Sequence, residues 1–171
     1  MDSPAPVEFE SAYRELKAIA QRELARHAGH SLSATALVHE AYLKLAGHSA
    51  PADRTHLVSL VVRAMRQILI DEARRRQADK RGGGALRITL TPELAAIDGD
   101  DGMLALDQAI GALKSAHPRM GEVVELHFWG GIEFGEIANL LGVDRRTVNR
   151  DWAAARVLIA RALEVPPESG R

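Results

Sequence analysis

The 171-residue sequence contains no cysteine, few aromatic residues and no long uninterrupted apolar run. Without cysteine the chain can form no disulfide, no thiolate metal site and no thiol nucleophile, which is typical of an intracellular protein. Its most apolar stretch, 57–70, is interrupted by Arg63 and Arg66, and segment 1–6 lacks the basic start and apolar core of a signal peptide. We therefore expect a soluble, cytoplasmic protein that does not associate with membranes.

The net charge of −1 conceals strong segregation of charge along the chain. Residues 54–81 carry eight Lys and Arg against three acids, whereas residues 91–107 carry five acids and no base. A cationic segment of this kind binds polyanions such as nucleic acid locally, even when the whole protein is nearly neutral.

Helical periodicity dominates the sequence, and the only strand-like stretch is the brief 86–90. Apolar spacing and capping residues predict three helices in the first half of the chain: one ending near Gly29, one capped by Ser33 or Thr35, and one over 54–77 capped by Asp53. The third begins with a wide apolar stripe and ends as a cationic rod.

Gly82–Gly84 ends this rod, because three consecutive glycines cannot hold a helix at acceptable entropic cost. An acidic segment punctuated by Pro and Gly follows. We therefore predict an all-α fold of two small helical domains, residues 1–84 and 103–171, joined by a flexible acidic linker over 85–102. The second domain is expected to contain four helices.

Residues 134–152 have the pattern of a helix-turn-helix. A short apolar face over 137–141 precedes Gly142, where a helix stop needs positive φ, and Asp144 stands as the cap of the next helix. One stripe of that helix is apolar: Val148, Trp152, Ala155 and Ile159. Its other face is polar and rich in arginine, which suits the major groove of DNA, although a structural hairpin with a solvated basic face has the same pattern.

Three segments in this order carry a family resemblance. They are Leu-Val-His-Glu-Ala-Tyr-Leu-Lys-Leu at 37–45, the run Ile-Asp-Glu-Ala-Arg-Arg-Arg followed by Lys-Arg-Gly-Gly within 63–83, and 130–152 with its Thr-Val-Asn-Arg-Asp-Trp. Together they resemble the extracytoplasmic-function (ECF) sigma factors of bacterial RNA polymerase, a branch of the sigma-70 family, and look most like one ECF-like subgroup. The resemblance covers nearly the whole chain.

The resemblance implies a sigma factor that binds core RNA polymerase and directs promoter recognition and transcription initiation. The first domain would dock on the clamp helices of the polymerase β′ subunit, and the second would meet the β flap. The expected docking residues are His39, Glu40, Leu43 and Lys44. An anti-sigma factor or a regulatory kinase is the kind of partner that would control such a protein from outside the chain.

Promoter DNA is the other partner that the resemblance implies. The residues expected at the minus-10 element are Arg63, Arg66, Arg74, Arg75, Arg76, Lys80 and Arg81. Those expected at the minus-35 element are Arg145, Arg146, Thr147, Asn149, Arg150 and Arg156. In the second set we expect Arg146, Asn149 and Arg150 to contact base edges, and the others to contact phosphates. The acidic linker is expected to screen the basic helix when DNA is absent.

Two departures from the family pattern concern the docking motif and the helix-turn-helix. Ser33–Ala36 replaces an acidic pair that usually precedes the docking motif, which predicts an altered affinity for the partner. Glu133 stands where Ser or Thr normally caps the first helix of the helix-turn-helix, and Gly135 follows, so that helix is expected to fray at its start.

The sequence offers no catalytic constellation and no phosphate-binding loop after a strand, so we expect neither an enzyme nor a cofactor or small-molecule substrate. His27 and His30 near Glu23 provide too few ligands for zinc, and no metal site is expected. Two alternative functions remain open at this point. One is a dimeric helix-turn-helix transcriptional regulator, and the other is a polymerase-binding adaptor that does not read DNA.

Overall fold

The computed structural model describes residues 6–26, 31–46, 51, 53–79, 88–89, 96–97 and 99–164. Its helices are α1 (Pro6–Arg26), α2 (Ala34–Leu45), α3 (Arg54–Asp79), α4 (Gly99–Ala116), α5 (Pro118–Val124), α6 (Phe134–Leu141) and α7 (Arg145–Glu164), with a π-helical segment (Glu125–Trp129) continuing α5. Two short strands, β1 (Ile88–Thr89) and β2 (Ala96–Ile97), pair antiparallel. The predicted all-α class is confirmed.

The starts of α2 and α3 are fixed by short polar side chains. Ser33 Oγ accepts a hydrogen bond from the backbone N of Ala36 at 3.1 Å, so Ser33 rather than Thr35 is the cap of α2. Asp53 Oδ1 accepts from the backbone N of His56 at 2.8 Å, as predicted for α3. The predicted stops at Gly29 and Gly82–Gly84 lie outside the described residues.

The apolar core runs through the whole fold rather than forming two separate clusters. Helices α1 to α3 form the first half of the molecule, and α4 to α7 with the π-helical segment form the second half. Buried side chains of both halves belong to one contiguous cluster, in which α3 packs against α4 and the π-helical segment. In the described part of the chain, no helix is long and apolar enough to cross a membrane.

The predicted linker over 85–102 contains ordered structure where it is described. Ile88 pairs with Ile97 across the two strands, which brings the ends of the intervening segment together. Helix α4 begins at Gly99, four residues before the predicted second domain, and Gly102 is already buried. The acids Asp100 and Asp101 in its first turn complement the positive end of the helix dipole, which explains why an acidic segment continues into a helix.

Two glycines allow close packing around α5. A Cβ on Gly121 would lie 2.6 Å from Lys114 Cβ and 2.7 Å from Lys114 Cα, so only glycine lets α5 cross α4 at this distance. A Cβ on Gly130 would lie 2.5 Å from the carbonyl oxygen of Leu126, at the end of the π-helical segment. At both positions a side chain would require neighbouring atoms of the second half to move apart.

Substitution of two glycines on neighbouring helices should have opposite effects on stability. Gly121→Ala should lower the free energy of unfolding by about 1 to 3 kcal/mol, because the added methyl meets the backbone of α4. Gly111→Ala, exposed on α4 with nothing within 4 Å of the new Cβ, should raise it by up to about 1 kcal/mol. Urea denaturation of both variants measures the difference, and a loss of the same size in both would contradict the close crossing of α4 and α5.

Candidate nucleic-acid interface

The turn of the helix-turn-helix has the predicted geometry. Gly142 ends α6 in the left-handed region, at φ 64° and ψ 34°, and the backbone N of Val143 donates to the carbonyl oxygen of Ala138 at 3.0 Å. Asp144 then accepts from the backbone N and the hydroxyl of Thr147, at 2.8 and 3.0 Å. The backbone hydrogen bond and then the hydroxyl bond from Thr147 lower the pKa of the Asp144 carboxyl below its usual value.

The start of α6 lacks a side-chain cap, as expected for a glutamate at position 133. Glu133 occupies the cap position in extended backbone and makes no capping hydrogen bond with its side chain. Gly135 has open space around its Cα, so no packing requires a glycine there. This helix therefore depends on its buried face, Ile137 and Ala138, and on the Gly142 turn for its position.

Helix α7 is the predicted recognition helix, and its apolar stripe faces the core. Val148, Ala155 and Ile159 are buried there. Trp152 is half-buried, with its ring centroid 4.6 Å from that of His127 in an edge-on arrangement. The π-helical segment presents His127, whose Nδ1 lies 2.9 Å from the carbonyl oxygen of Ile132. These contacts fix which side of α7 faces outward.

The outward side of α7 carries most of the predicted minus-35 residues. Arg145, Arg146, Asn149 and Arg150 are exposed, and Thr147 and Arg156 are half-buried. The Thr147 hydroxyl is bonded to the Asp144 cap, which makes it a part of the turn. The structure therefore brings three arginines and one asparagine together on an open face.

One acidic residue of α7 has a role that the sequence did not reveal. Asp151 is 2% exposed, and its carboxylate accepts hydrogen bonds from Arg119 of α5 at 2.5 and 3.4 Å. This pair ties α7 to α5 behind the exposed face. A signal was present, since Asp151 falls on the apolar stripe between Val148 and Ala155, where an acid needs a partner.

The basic residues of α3 divide into exposed and covered groups. Arg74 and Arg75 are exposed, whereas Lys80 and Arg81 lie outside the described residues. Asp71 Oδ1 is 3.8 Å from Arg74, three residues further along α3, and Asp71 Oδ2 is 3.6 Å from Lys44 of α2.

The three remaining predicted minus-10 residues are half-buried and ion-paired with the second half. Arg63 bonds Glu122 of α5, and Arg66 bonds both Asp107 of α4 and Glu125. Further along α3, Arg76 makes two hydrogen bonds to Asp100, at 2.7 and 2.8 Å, and Arg74 reaches Asp107 at 3.3 Å. We call this set the interhelix charge network: Arg63, Arg66, Arg74, Arg76, Asp100, Asp107, Lys114, Glu122 and Glu125.

Lys114 of α4 completes the network between its acids, with Nζ 2.9 Å from Glu122 and 2.8 Å from Glu125. Burial alone would raise the pKa of Glu125, but the hydrogen bond from Lys114 and the charge of Arg66 lower it below its ordinary value of 4.5. The carboxylate is therefore charged in the fold and held there by two cations.

Glu23 of α1 is also a buried acid, but its pKa is shifted in the opposite direction to that of Glu125. It is 3% exposed, and burial raises its pKa above 4.5, although Arg26 and Arg22 act against the rise. Arg22 also donates to the carbonyl oxygen of Trp129 at 3.1 Å, and Arg26 lies 5.0 Å from the ring centroid of Phe128. The end of α1 thus forms a second contact with the second half.

The predicted polymerase-docking residues share the outer face of α2. His39, Glu40, Leu43 and Lys44 are all exposed. Leu43 is 63% exposed, the highest value among the exposed large apolar side chains of the described residues. The opposite face of α2, at Leu37, Val38 and Ala41, is buried and holds the helix in place.

Among the residues that the structure describes, no three His, Asp or Glu side chains come together as a metal site. Glu23 pairs with Arg22 and Arg26, and the histidines considered beside it, His27 and His30, lie outside the described residues.

Neutralising the two buried acids should change stability in opposite directions. The folded pKa of Glu125 is lowered, so its stabilisation is present above about pH 4.5 and is lost as pH falls through the folded pKa. Glu125→Gln should therefore be less stable than wild type at pH 7, with a difference that shrinks at acid pH. The folded pKa of Glu23 is raised, so Glu23→Gln should be more stable than wild type at pH 7. Urea denaturation between pH 3 and 7 measures both, and a Glu125→Gln effect that does not depend on pH would contradict this assignment.

Comparison with known protein families assigns the chain to one family. The model of the ECF sigma factor family matches residues 4–165. Comparison with curated proteins and with solved structures found no match. The family is not a class of enzymes, and it implies core RNA polymerase, promoter DNA and anti-sigma factors as partners. Because the match spans both halves, the chain belongs to the ECF sigma factors, which direct promoter recognition and transcription initiation.

Proposed function

We propose that α7 reads the minus-35 element with the exposed side chains of Arg146, Asn149 and Arg150. The observation that carries this proposal is the two-sided character of α7, with a buried apolar stripe behind an open polar face. Arginine pairs bidentately with guanine and asparagine with adenine in the major groove, so this face has the donors that base reading needs. Arg145 and Arg156, at the two ends of this face, contact phosphates.

We propose further that α3 meets the minus-10 element. Arg74 and Arg75 are exposed, so they are the first residues of α3 to contact the phosphate backbone of the DNA. These contacts do not depend on the base sequence, because they are attractions between charges. Arg63, Arg66 and Arg76 join them when their carboxylate partners are displaced. Lys80 and Arg81 extend the same cationic run along the chain.

The outer face of α2 is our proposed docking site for the β′ clamp helices. An exposed leucine beside a histidine, a glutamate and a lysine gives an apolar contact with a charged rim, and interfaces commonly combine a buried apolar centre with a polar rim. We propose that the second half meets the β flap. Because the protein acts with RNA polymerase and promoter DNA, we propose that it works in the cytoplasm.

Transcription in vitro with purified core RNA polymerase tests the proposal. With a pool of random DNA fragments at low salt, the chain should bind core and start transcripts from a restricted subset of fragments.

Leu43→Ala should weaken core binding by roughly 30-fold, the effect of about 2 kcal/mol at an anchor residue, without changing the melting temperature. Gln21→Ala, exposed on α1, is the matched control. Core binding that is unaffected by Leu43→Ala would place docking on another surface.

Two arginine substitutions separate base reading from phosphate contact. On promoters selected in this way, Arg150→Ala should lower the preference for the promoter over scrambled DNA by roughly 5- to 150-fold, corresponding to about 1 to 3 kcal/mol. Arg75→Ala should instead weaken both DNAs alike and reduce the dependence of binding on salt. Arg161→Ala, exposed in the last turn of α7, is the control for charge loss on the same helix. Equal losses on promoter and scrambled DNA for Arg150→Ala would contradict its role as a base reader.

A further inference from the structure

Two charged residues of the second half occupy positions that their own helices disfavour. Arg119 lies in the first turn of α5, directly after Pro118, where the positive end of the helix dipole opposes a cation and no acid of the same turn offsets it. Asp151 lies in the interior of α7 on its apolar stripe, where its carboxylate is removed from water. Both positions become favourable only when the two side chains meet, so the pair meets a tertiary requirement.

The contact between Arg119 and Asp151 is directional. Nε and Nη2 of the guanidinium donate to different oxygens of the carboxylate, at 2.5 and 3.4 Å. A two-point contact of this kind restrains the orientation of the carboxylate as well as its distance. The carboxylate is buried, so water offers it no alternative partner.

Apolar packing restrains the rotation of α7 less than this ion pair does. Val148 and Ala155 lie on either side of Asp151 along the buried stripe, and burial of apolar surface has no preferred direction. Helix α5, in contrast, is fixed by its close crossing of α4 at Gly121, where an added Cβ would meet the backbone of α4. Arg119 therefore joins α7 to an element that cannot easily move.

The anchored stretch of α7 is also the stretch that carries two of the proposed base readers. Asp151 directly follows Arg150 and lies two residues after Asn149. Successive residues are roughly 100° apart around a helix, so a rotation that moves Asp151 carries both readers through the same angle. A recognition site has to be held within about 0.5 Å and about 10–20° of its productive geometry. A small rotation of α7 therefore changes which base edges these side chains reach.

From this geometry we infer that Arg119 and Asp151 are positioning residues for promoter selection. Arg119 of α5 sets the rotation of α7 about its axis, and thereby the direction in which Asn149 and Arg150 point. This inference rests on the proposed base reading by α7. Loss of the pair should lower the preference for the promoter more than the attraction to DNA of any sequence, because phosphate contacts tolerate small changes of angle better than base contacts do.

Two variants weaken the pair without leaving a buried charge alone. Arg119→Lys keeps a cation beside Asp151 but lacks the planar fork of donors, and Asp151→Asn keeps the shape and one acceptor oxygen but loses the charge. With core RNA polymerase and the selected promoters, each variant should lower the preference for the promoter over scrambled DNA at least about fivefold. Arg161→Lys makes the same chemical change at an exposed position in the last turn of α7 and should keep the wild-type preference.

The double variant tests whether the two residues act through one contact. Arg119→Lys/Asp151→Asn should lose no more preference than the more affected single variant, because both substitutions break the same interaction.

The orientation of α7 on DNA can be measured separately from affinity. A DNA-cleaving iron chelate attached at Ala153→Cys, an exposed position of α7, labels the chain at one site because the natural sequence has no cysteine. With the ion pair intact, the cuts should fall in one narrow set of promoter nucleotides. In Arg119→Lys and in Asp151→Asn the cuts should shift or spread, whereas loss of stability alone would change only the amount of cutting.

Unchanged preference, or equal losses on promoter and scrambled DNA, together with unchanged cut positions in both variants, would overturn the inference. The proposed function would remain intact in that case if Arg150→Ala lowers the preference. If Arg150→Ala leaves the preference unchanged, base reading by α7 is wrong and the inference is wrong with it.

Discussion

The ion pairs of Arg66 hold the two halves of this sigma factor in register. Its guanidinium lies in the middle of α3, bonds Asp107 and Glu125 on two different elements, and lies 5.9 Å from the ring centroid of Trp129. Removing one partner from such a buried pair leaves an uncompensated charge, which costs several kcal/mol, so these residues act as a unit. The position of α4 and of the π-helical segment against α3 follows from this contact and from the shared apolar core.

The same contact gives the two helices that we propose to contact DNA different accessibility in one chain. The polar face of α7 is open, and Arg119 and Asp151 lock the helix from behind. Part of the basic face of α3 is covered by carboxylates. Charge segregation along the sequence therefore has a structural counterpart, because Asp100, Asp107, Glu122 and Glu125 of the second half pair with arginines of α3.

The features that the sequence predicted well are local. The Ser33 and Asp53 caps, the left-handed Gly142 and the Asp144 cap depend on residues within four positions of one another, so short-range chemistry determines them. The pairing of Arg63 with Glu122 spans 59 positions and depends on how α3 crosses the second half, which no local pattern encodes. The π-helical turn and the Gly121 crossing were missed for the same reason, since both arise from packing of α5 against its neighbours.

The distance between α3 and α7 in solution tests the central claim most directly. The sequence lacks cysteine, so probes at Gln67→Cys and Ala153→Cys, both exposed, report on these two helices alone. In the free protein we expect one short distance, set by the contacts of both helices with α5. In Arg66→Ala, which removes the ion pairs to Asp107 and Glu125, the distance should become longer and more broadly distributed. An unchanged short distance in Arg66→Ala would contradict the account in which these ion pairs hold the two halves in register.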